Sequence, residues 1–167
     1  MQAGGRLGAP ARYHVTLLFL GDAVTTQAEA AAMQAASLLR SPPFTLRLEQ
    51  GGSFRSRQIP WWLGPRDTPA ELFNLHAQLR DALRNAGVSY DRTHLAPHLT
   101  VLRDARKPLP LTPIEPIRWN VTEFALVRSL LDAQSPQYHV VSHWPLKMEL
   151  TKRTGSAQLE LWENDRR

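Results

Sequence analysis

Apolar and polar positions follow two different periods along this chain, and the periods place its elements. Tyr13–Leu20 (YHVTLLFL) is rich in strand formers and stops at the turn signal Gly21-Asp22, which predicts a first strand. Thr26 and Glu29 are spaced as a capping box for a helix running to about Arg40, closed by Ser41-Pro42-Pro43. Phe44–Gln50 then alternates, with Phe44, Leu46 and Leu48 against Thr45, Arg47 and Glu49, the pattern of a half-buried strand. Gly51-Gly52 opens a loop, and Ile59–Gly64 reads as a neighbouring strand whose Pro60 marks an edge or a start. The second helix carries the fullest set of signals. Thr68 is its expected N-cap, Pro69 its first residue and Glu71 the close of the box. Leu72, Leu75, Leu79 and Leu83 form its apolar stripe, and Gly87 ends it. Pro97–Arg103 (PHLTVLR) is a further strand, followed by a Pro-rich loop from Lys107 to Pro116. Ile117–Leu131 and Tyr138–Lys147 read as two long strands joined near Asp132–Pro136. The order is β-α-β-β-α-β-β-β. Strands come in runs, so the expected class is α+β with mostly antiparallel sheet.

Composition narrows the picture without deciding it. A chain of 167 residues predicts one domain, with room for two lobes. With no cysteine in the sequence, disulfides and thiolate metal sites are excluded. No stretch approaches a membrane span, and Met1–Arg12 lacks the apolar run of a signal peptide, so the cytoplasm is the expected location. Twenty Lys and Arg against 15 Asp and Glu leave a net charge of +5, a mild preference for polyanionic partners.

Candidate chemistry enters with a repeated triplet. His14-Val15-Thr16 and His98-Leu99-Thr100 both fall on predicted strands. Residues two apart in a strand face the same way, so each triplet aims one imidazole and one hydroxyl at one side. Val15, Leu17, Leu99 and Val101 keep the other side apolar. Histidine titrates near neutrality, so one ring can serve as base while the other serves as acid. Threonine hydroxyls can donate to the non-bridging oxygens of a phosphodiester and stabilise its developing charge.

The segments YHVTLLFLG (Tyr13 to Gly21) and PHLTVLRDA (Pro97 to Ala105) resemble the two signatures of the 2H phosphoesterases. The branch they are most similar to is the bacterial RNA 2′,3′-cyclic phosphodiesterases, also known as 2′-5′ RNA ligases. Phe44-Thr45-Leu46, Trp62-Leu63-Gly64, Val121–Phe124 and Tyr138 through Trp144 to Leu146 also look like family segments. The resemblance implies a bilobal α+β body with one His-x-Thr strand per lobe facing a central cleft. It implies hydrolysis of a terminal 2′,3′-cyclic phosphate to a 2′-phosphomonoester, without metal or cofactor, with 2′-5′ joining as the reverse reaction. His14 would be the acid and His98 the base, two roles that are symmetric on paper. Thr16, Thr100 and Arg103 would grip the phosphate. The implied partners are RNA ends or nucleotides, and a monomer is expected. A 2H enzyme acting on another small cyclic phosphate, or an RNA-binding module without turnover, are the alternatives.

Two departures from the family pattern are visible. The family's strand and helix ahead of the first motif are expected to be absent, since only twelve residues precede Tyr13, so that either the start is truncated or the lobe lacks a strand. Residues 149–167 extend past its usual end as a polar tail, leaving 1–148 as the expected domain. Strict alternation also puts Arg103 on the side opposite His98; it reaches the cleft only if the strand ends or bulges near Leu102. Among the remaining candidates, Trp62 and Tyr138 are expected contacts for a base or ribose. Arg55 and Arg57 could meet RNA phosphates or simply be solvated. His94 and His98 have the spacing of a metal pair, but Pro97 disfavours a helix there, and no metal is expected. His76 reads as a boundary residue on the second helix, and His139 and His143 as surface strand.

Overall fold

The stripe of leucines on the second helix organises the core. This helix, α2 (Ala70–Asn85), buries Leu72, Leu75, Leu79 and Leu83. The computed structural model describes residues 3–131 and 136–147. Leu72 and Leu75 pack with Phe44, Leu46 and Leu48, while Leu79 and Leu83 pack with Ala32, Ala35 and Ala36 of the first helix, α1 (Thr26–Ser37). The small alanines let the two helices approach closely, and burial of each leucine contributes about 1.5–3 kcal/mol. The end of α2 is tied by two hydrogen bonds, Val88 N to Leu83 O at 2.9 Å and Gly87 N to Arg84 O at 3.1 Å. Gly87 has φ +70°, the left-handed residue this closure uses.

The strands are β1 (Arg6–Leu7), β2 (Phe44–Ser53), β3 (Trp61–Gly64), β4 (Leu99–Arg103), β5 (Thr112–Val121), β6 (Glu123–Leu131) and β7 (Pro136–Pro145). They form a five-stranded sheet in the order β1-β4-β3-β2-β5 and a two-stranded sheet of β6 and β7, with antiparallel pairing throughout. The fold is α+β. The smaller sheet is fastened to the rest by Phe124 and Trp144, which stack on each other at 5.3 Å and pack against the buried cluster of α1 and α2, and by the Arg128–Glu29 ion pair at 2.7 Å from β6 to α1.

Several elements differ from the sequence expectation, each for a local reason. Tyr13–Leu20 is not a ladder strand; among the described residues its backbone pairs with the sheet at an isolated antiparallel bridge from Val15 to Leu99. The edge of β4 it would need is already taken at Leu102 and Arg103 by β1, a strand the sequence reading did not foresee. The first cap is Thr25, not Thr26: its Oγ1 accepts from Ala28 N at 3.1 Å, and the helix stops at Ser37. That shift frees Glu29 for Arg128. On α2, Pro69 itself is the N-cap, with extended ψ of 142° and no side-chain cap, so Thr68 does not serve. Gly51 and Gly52 lie inside β2, paired to Leu63 and Trp62. A Cβ at Gly52 would come within 2.7 Å of the Trp62 indole, so glycine here gives the ring its place. The Pro-rich stretch is partly strand, because β5 is an edge strand and tolerates Pro113 and Pro116. The long Ile117–Leu131 strand is two strands parted at Thr122, whose carbonyl accepts from Leu146 N at 2.7 Å. The predicted tail, 149–167, lies outside the described residues.

His76 is buried among the α2 leucines rather than at the boundary, and its Nε2 has no hydrogen-bond partner. Burial, with the nearby Arg80 cation adding to it, lowers its pKa below the ordinary 6.5. The unfolded chain therefore takes up a proton near pH 6.5 that the folded chain refuses until lower pH. Stability contributed by neutral His76 is complete above 6.5 and is lost as pH falls through the lowered value. The expected result is a steeper fall of melting temperature below pH 6.5 in the native chain than in His76→Leu. Parallel melting-temperature profiles for the two proteins would exclude this coupling.

Candidate active site

The bridge between Val15 and Leu99 joins the middle residues of the two His-x-Thr triplets. By that antiparallel register His14 lies across from Thr100, and Thr16 across from His98. All four side chains line one cleft, and the two histidines stand on a diagonal, which in a regular antiparallel pair separates residues by about 7–8 Å, with Cβ atoms somewhat closer. One phosphate fits between two imidazoles at such a spacing. The cleft they face has a volume of about 190 Å³ and is lined by His14, Thr16, His98, Thr100, Arg103 and Tyr138, joined by Arg6, Arg12 and the Leu7-Gly8 and Tyr13 walls. Among the described residues its lining contains three arginines and no carboxylate. Such a cleft favours an anion.

Each imidazole is held in the same state by the same device. His14 Nδ1 donates to the Arg12 carbonyl at 2.8 Å, and His98 Nδ1 donates to the Ala96 carbonyl at 2.7 Å. A carbonyl oxygen only accepts, so each Nδ1 carries its hydrogen and each Nε2 is the atom left to gain or lose a proton. Each ring also has an aromatic wall. Tyr138 meets His14 edge-on at 5.2 Å, and Phe54 meets His98 edge-on at 4.8 Å. The site thus has an approximate twofold character: two triplets, two carbonyl anchors, two aromatic walls.

Arg103 reaches the cleft through a bulge. Trp61 pairs with Leu102 and Trp62 with Thr100, so Val101 is an extra residue on β4. The bulge re-phases the alternation: Leu99 and Leu102, three apart, are both buried, and Thr100 and Arg103 line the cleft together. Trp62 pairs with Thr100 and so shares its face, but it does not line the cleft. Its indole lies over Gly52 beneath Phe54, at a ring separation of 5.5 Å, with Nε1 buried and unpartnered. Arg55, Arg57, His94, His139 and His143 are exposed and stand outside the lining. Among the described residues no three His, Cys, Asp or Glu side chains are grouped to hold a metal.

Arg6, Arg12 and Phe54 were not singled out by sequence reasoning. The arginines sit in a segment with no periodicity, and they arrive because β1 joins the edge of β4 and the 3-10 turn Pro10–Arg12 returns the chain to the cleft. The one signal for Phe54 was an aromatic residue just after Gly51-Gly52-Ser53.

Two His-x-Thr triplets facing one anion-favouring cleft on an antiparallel α+β body define a two-histidine (2H) phosphoesterase. The chain belongs to the 2′-5′ RNA ligase superfamily, whose family model matches residues 4–133. It is 35% identical over 145 residues to an Escherichia coli protein named RNA 2′,3′-cyclic phosphodiesterase, covering 85% of this chain and 80% of that protein. It is 32% identical over 160 residues to a Geobacillus stearothermophilus protein of the same name, covering 89% of this chain and 50% of that one. The crystal structure of E. coli LigT complexed with 3′-AMP superposes with a TM-score of 0.74 at 34% identity, covering 87% of this chain and 83% of that one.

Proposed function

We propose that this enzyme hydrolyses the terminal 2′,3′-cyclic phosphate of RNA to a 2′-phosphomonoester, with His14 and His98 as its acid and base. The observation that carries the reading is the matched pair of Nδ1–H imidazoles on one face of the Val15–Leu99 bridge. The similarity to proteins named RNA 2′,3′-cyclic phosphodiesterase supports the substrate.

In this mechanism His98 Nε2 takes a proton from water as the oxygen attacks phosphorus. The P–O3′ bond breaks on the opposite side, and protonated His14 Nε2 donates to the leaving O3′. The products are a 2′-phosphate and a free 3′-hydroxyl. His98 ends protonated and His14 neutral, and exchange with solvent resets both. Thr16 and Thr100 donate to the non-bridging oxygens, and the planar fork of Arg103 neutralises the growing charge. Acid and base each contribute about 10²–10⁴-fold. The near-symmetry of the site means that the ribose, not the histidines, decides which ring faces O3′. Tyr138 is assigned to the ribose or base on the His14 side, and Trp62 supports that role from the His98 side through Phe54.

The same reading takes the protein as a monomer acting on RNA in the cytoplasm without a metal ion. No helix among the described residues is long and apolar enough to cross a membrane. The test is an oligoribonucleotide ending in a 2′,3′-cyclic phosphate, incubated in excess EDTA. Full conversion to the 2′-phosphate is expected. Loss of activity that added divalent metal restores would overturn the metal-free mechanism. Turnover of other small cyclic phosphates but not of RNA ends would overturn the substrate.

A further inference from the structure

The backbone turns sharply just beyond Arg103. It is the last residue of β4, and the next residue, Asp104, has φ +57°. That left-handed conformation is uncommon outside glycine, Asp being among the residues that adopt it most readily, and neighbouring contacts hold it here. The support comes from β1. Arg6 pairs with Arg103 in the ladder, and its side chain reaches along the strand to Asp104, with Nη2 donating to Oδ2 at 2.8 Å and Nε at 3.2 Å. Around this pair the backbone closes further. Gly5, at φ +83°, packs so closely on the Arg103 carbonyl that a Cβ there would collide with it. Arg106 N donates to Ala3 O at 3.1 Å, and Ala105 N to Ile59 O at 3.0 Å. The Arg103 side chain itself has no hydrogen bond or ion pair among the described residues.

We infer that Arg6 and Asp104 are positioning residues: their ion pair holds the turn that aims Arg103 at the phosphate. The pair is exposed and adds little to global stability. Its effect is local, a choice between two directions for one guanidinium. The inference rests on the reading that the cleft holds a phosphate. Arg6 also lines the cleft, so a direct contact with substrate is the competing role.

A double-mutant cycle separates the two roles. The probe is 2′-AMP, titrated calorimetrically against the full chain, with steady-state rates on a 2′,3′-cyclic-phosphate-ended RNA beside it. Arg6→Gln is expected to weaken 2′-AMP binding on the order of 10-fold. In an Arg103→Ala background the same substitution is expected to change nothing further. Asp104→Gly removes the partner but adopts positive φ freely. It is expected to keep most of the affinity and to make Arg6→Gln nearly silent. Multiplicative losses from Arg6→Gln and Arg103→Ala, or full loss on Arg6→Gln in the Asp104→Gly background, would mean that Arg6 touches the phosphate itself and would overturn the inference. Native affinity in Arg6→Gln would overturn it too. A chain that binds 2′-AMP with this coupling intact but fails to open the RNA end would sink the proposed reaction and support the positioning role.

Discussion

His98→Ala is expected to slow opening of the cyclic phosphate by about 10²-fold or more, and His14→Ala by a similar factor. Both rings present only Nε2 to the cleft, because each Nδ1–H is committed to a carbonyl two residues upstream. In the proposed mechanism alanine removes the proton carrier and leaves Thr16, Thr100 and Arg103 to hold the phosphate. The loss is therefore expected in kcat, with binding of 2′-AMP largely retained. The double variant is expected to lose less than the product of the two single losses, since acid and base act in one step. In the proposed mechanism the native rate requires one ring neutral and one protonated. It is expected to fall on both sides of an optimum, and each single variant to lose one limb of the bell. Stopped-rate assays from acid to alkaline pH check this. A flat profile, or near-native kcat in His98→Ala, would end the two-histidine mechanism.

The second large effect is on stability. Leu75→Ala is expected to lower the unfolding free energy by about 2–5 kcal/mol. Leu75 is 1% exposed, on the helix that packs one way onto the sheet and the other way onto α1. Truncation removes the buried methyl groups and leaves a cavity that rigid neighbours on both sides cannot collapse to fill. In urea the transition midpoint is expected to move while the slope stays constant. Phe73, two residues away and 60% exposed on the opposite face, serves as the contrast. Phe73→Ala is expected to stay within about 0.5 kcal/mol of native. Equal losses in the two variants would show that the stripe does not carry the core.

Legibility in the sequence followed the range of the interactions involved. The α2 stripe and the alternation of Phe44–Leu48 were readable because period and burial coincide within one element. Caps were readable only to within a residue: Thr25 and Thr26 are chemically equal candidates, and backbone geometry chooses. Gly51-Gly52 was misleading, because the space a glycine leaves is visible only once the Trp62 ring is seen across the strand pair. His76 was placed at a boundary because a helical projection cannot show how deep α2 sinks.

The amino-acid sequence by itself determined which groups are the candidates for chemistry: two His-x-Thr triplets with apolar residues between, and flanks similar to a known family. It also determined that the body is α+β, through period, caps and turn signals. Only the tertiary structure decided the rest. It set Val15 against Leu99, so that the triplets meet antiparallel, and it brought Arg6 and Arg12 to the cleft. It turned Arg103 inward through the bulge at Val101. The physical reason is that side-chain direction within a strand follows from local alternation. The partner of a strand edge, and the insertion of one extra residue into a ladder, depend on what distant segments have already occupied.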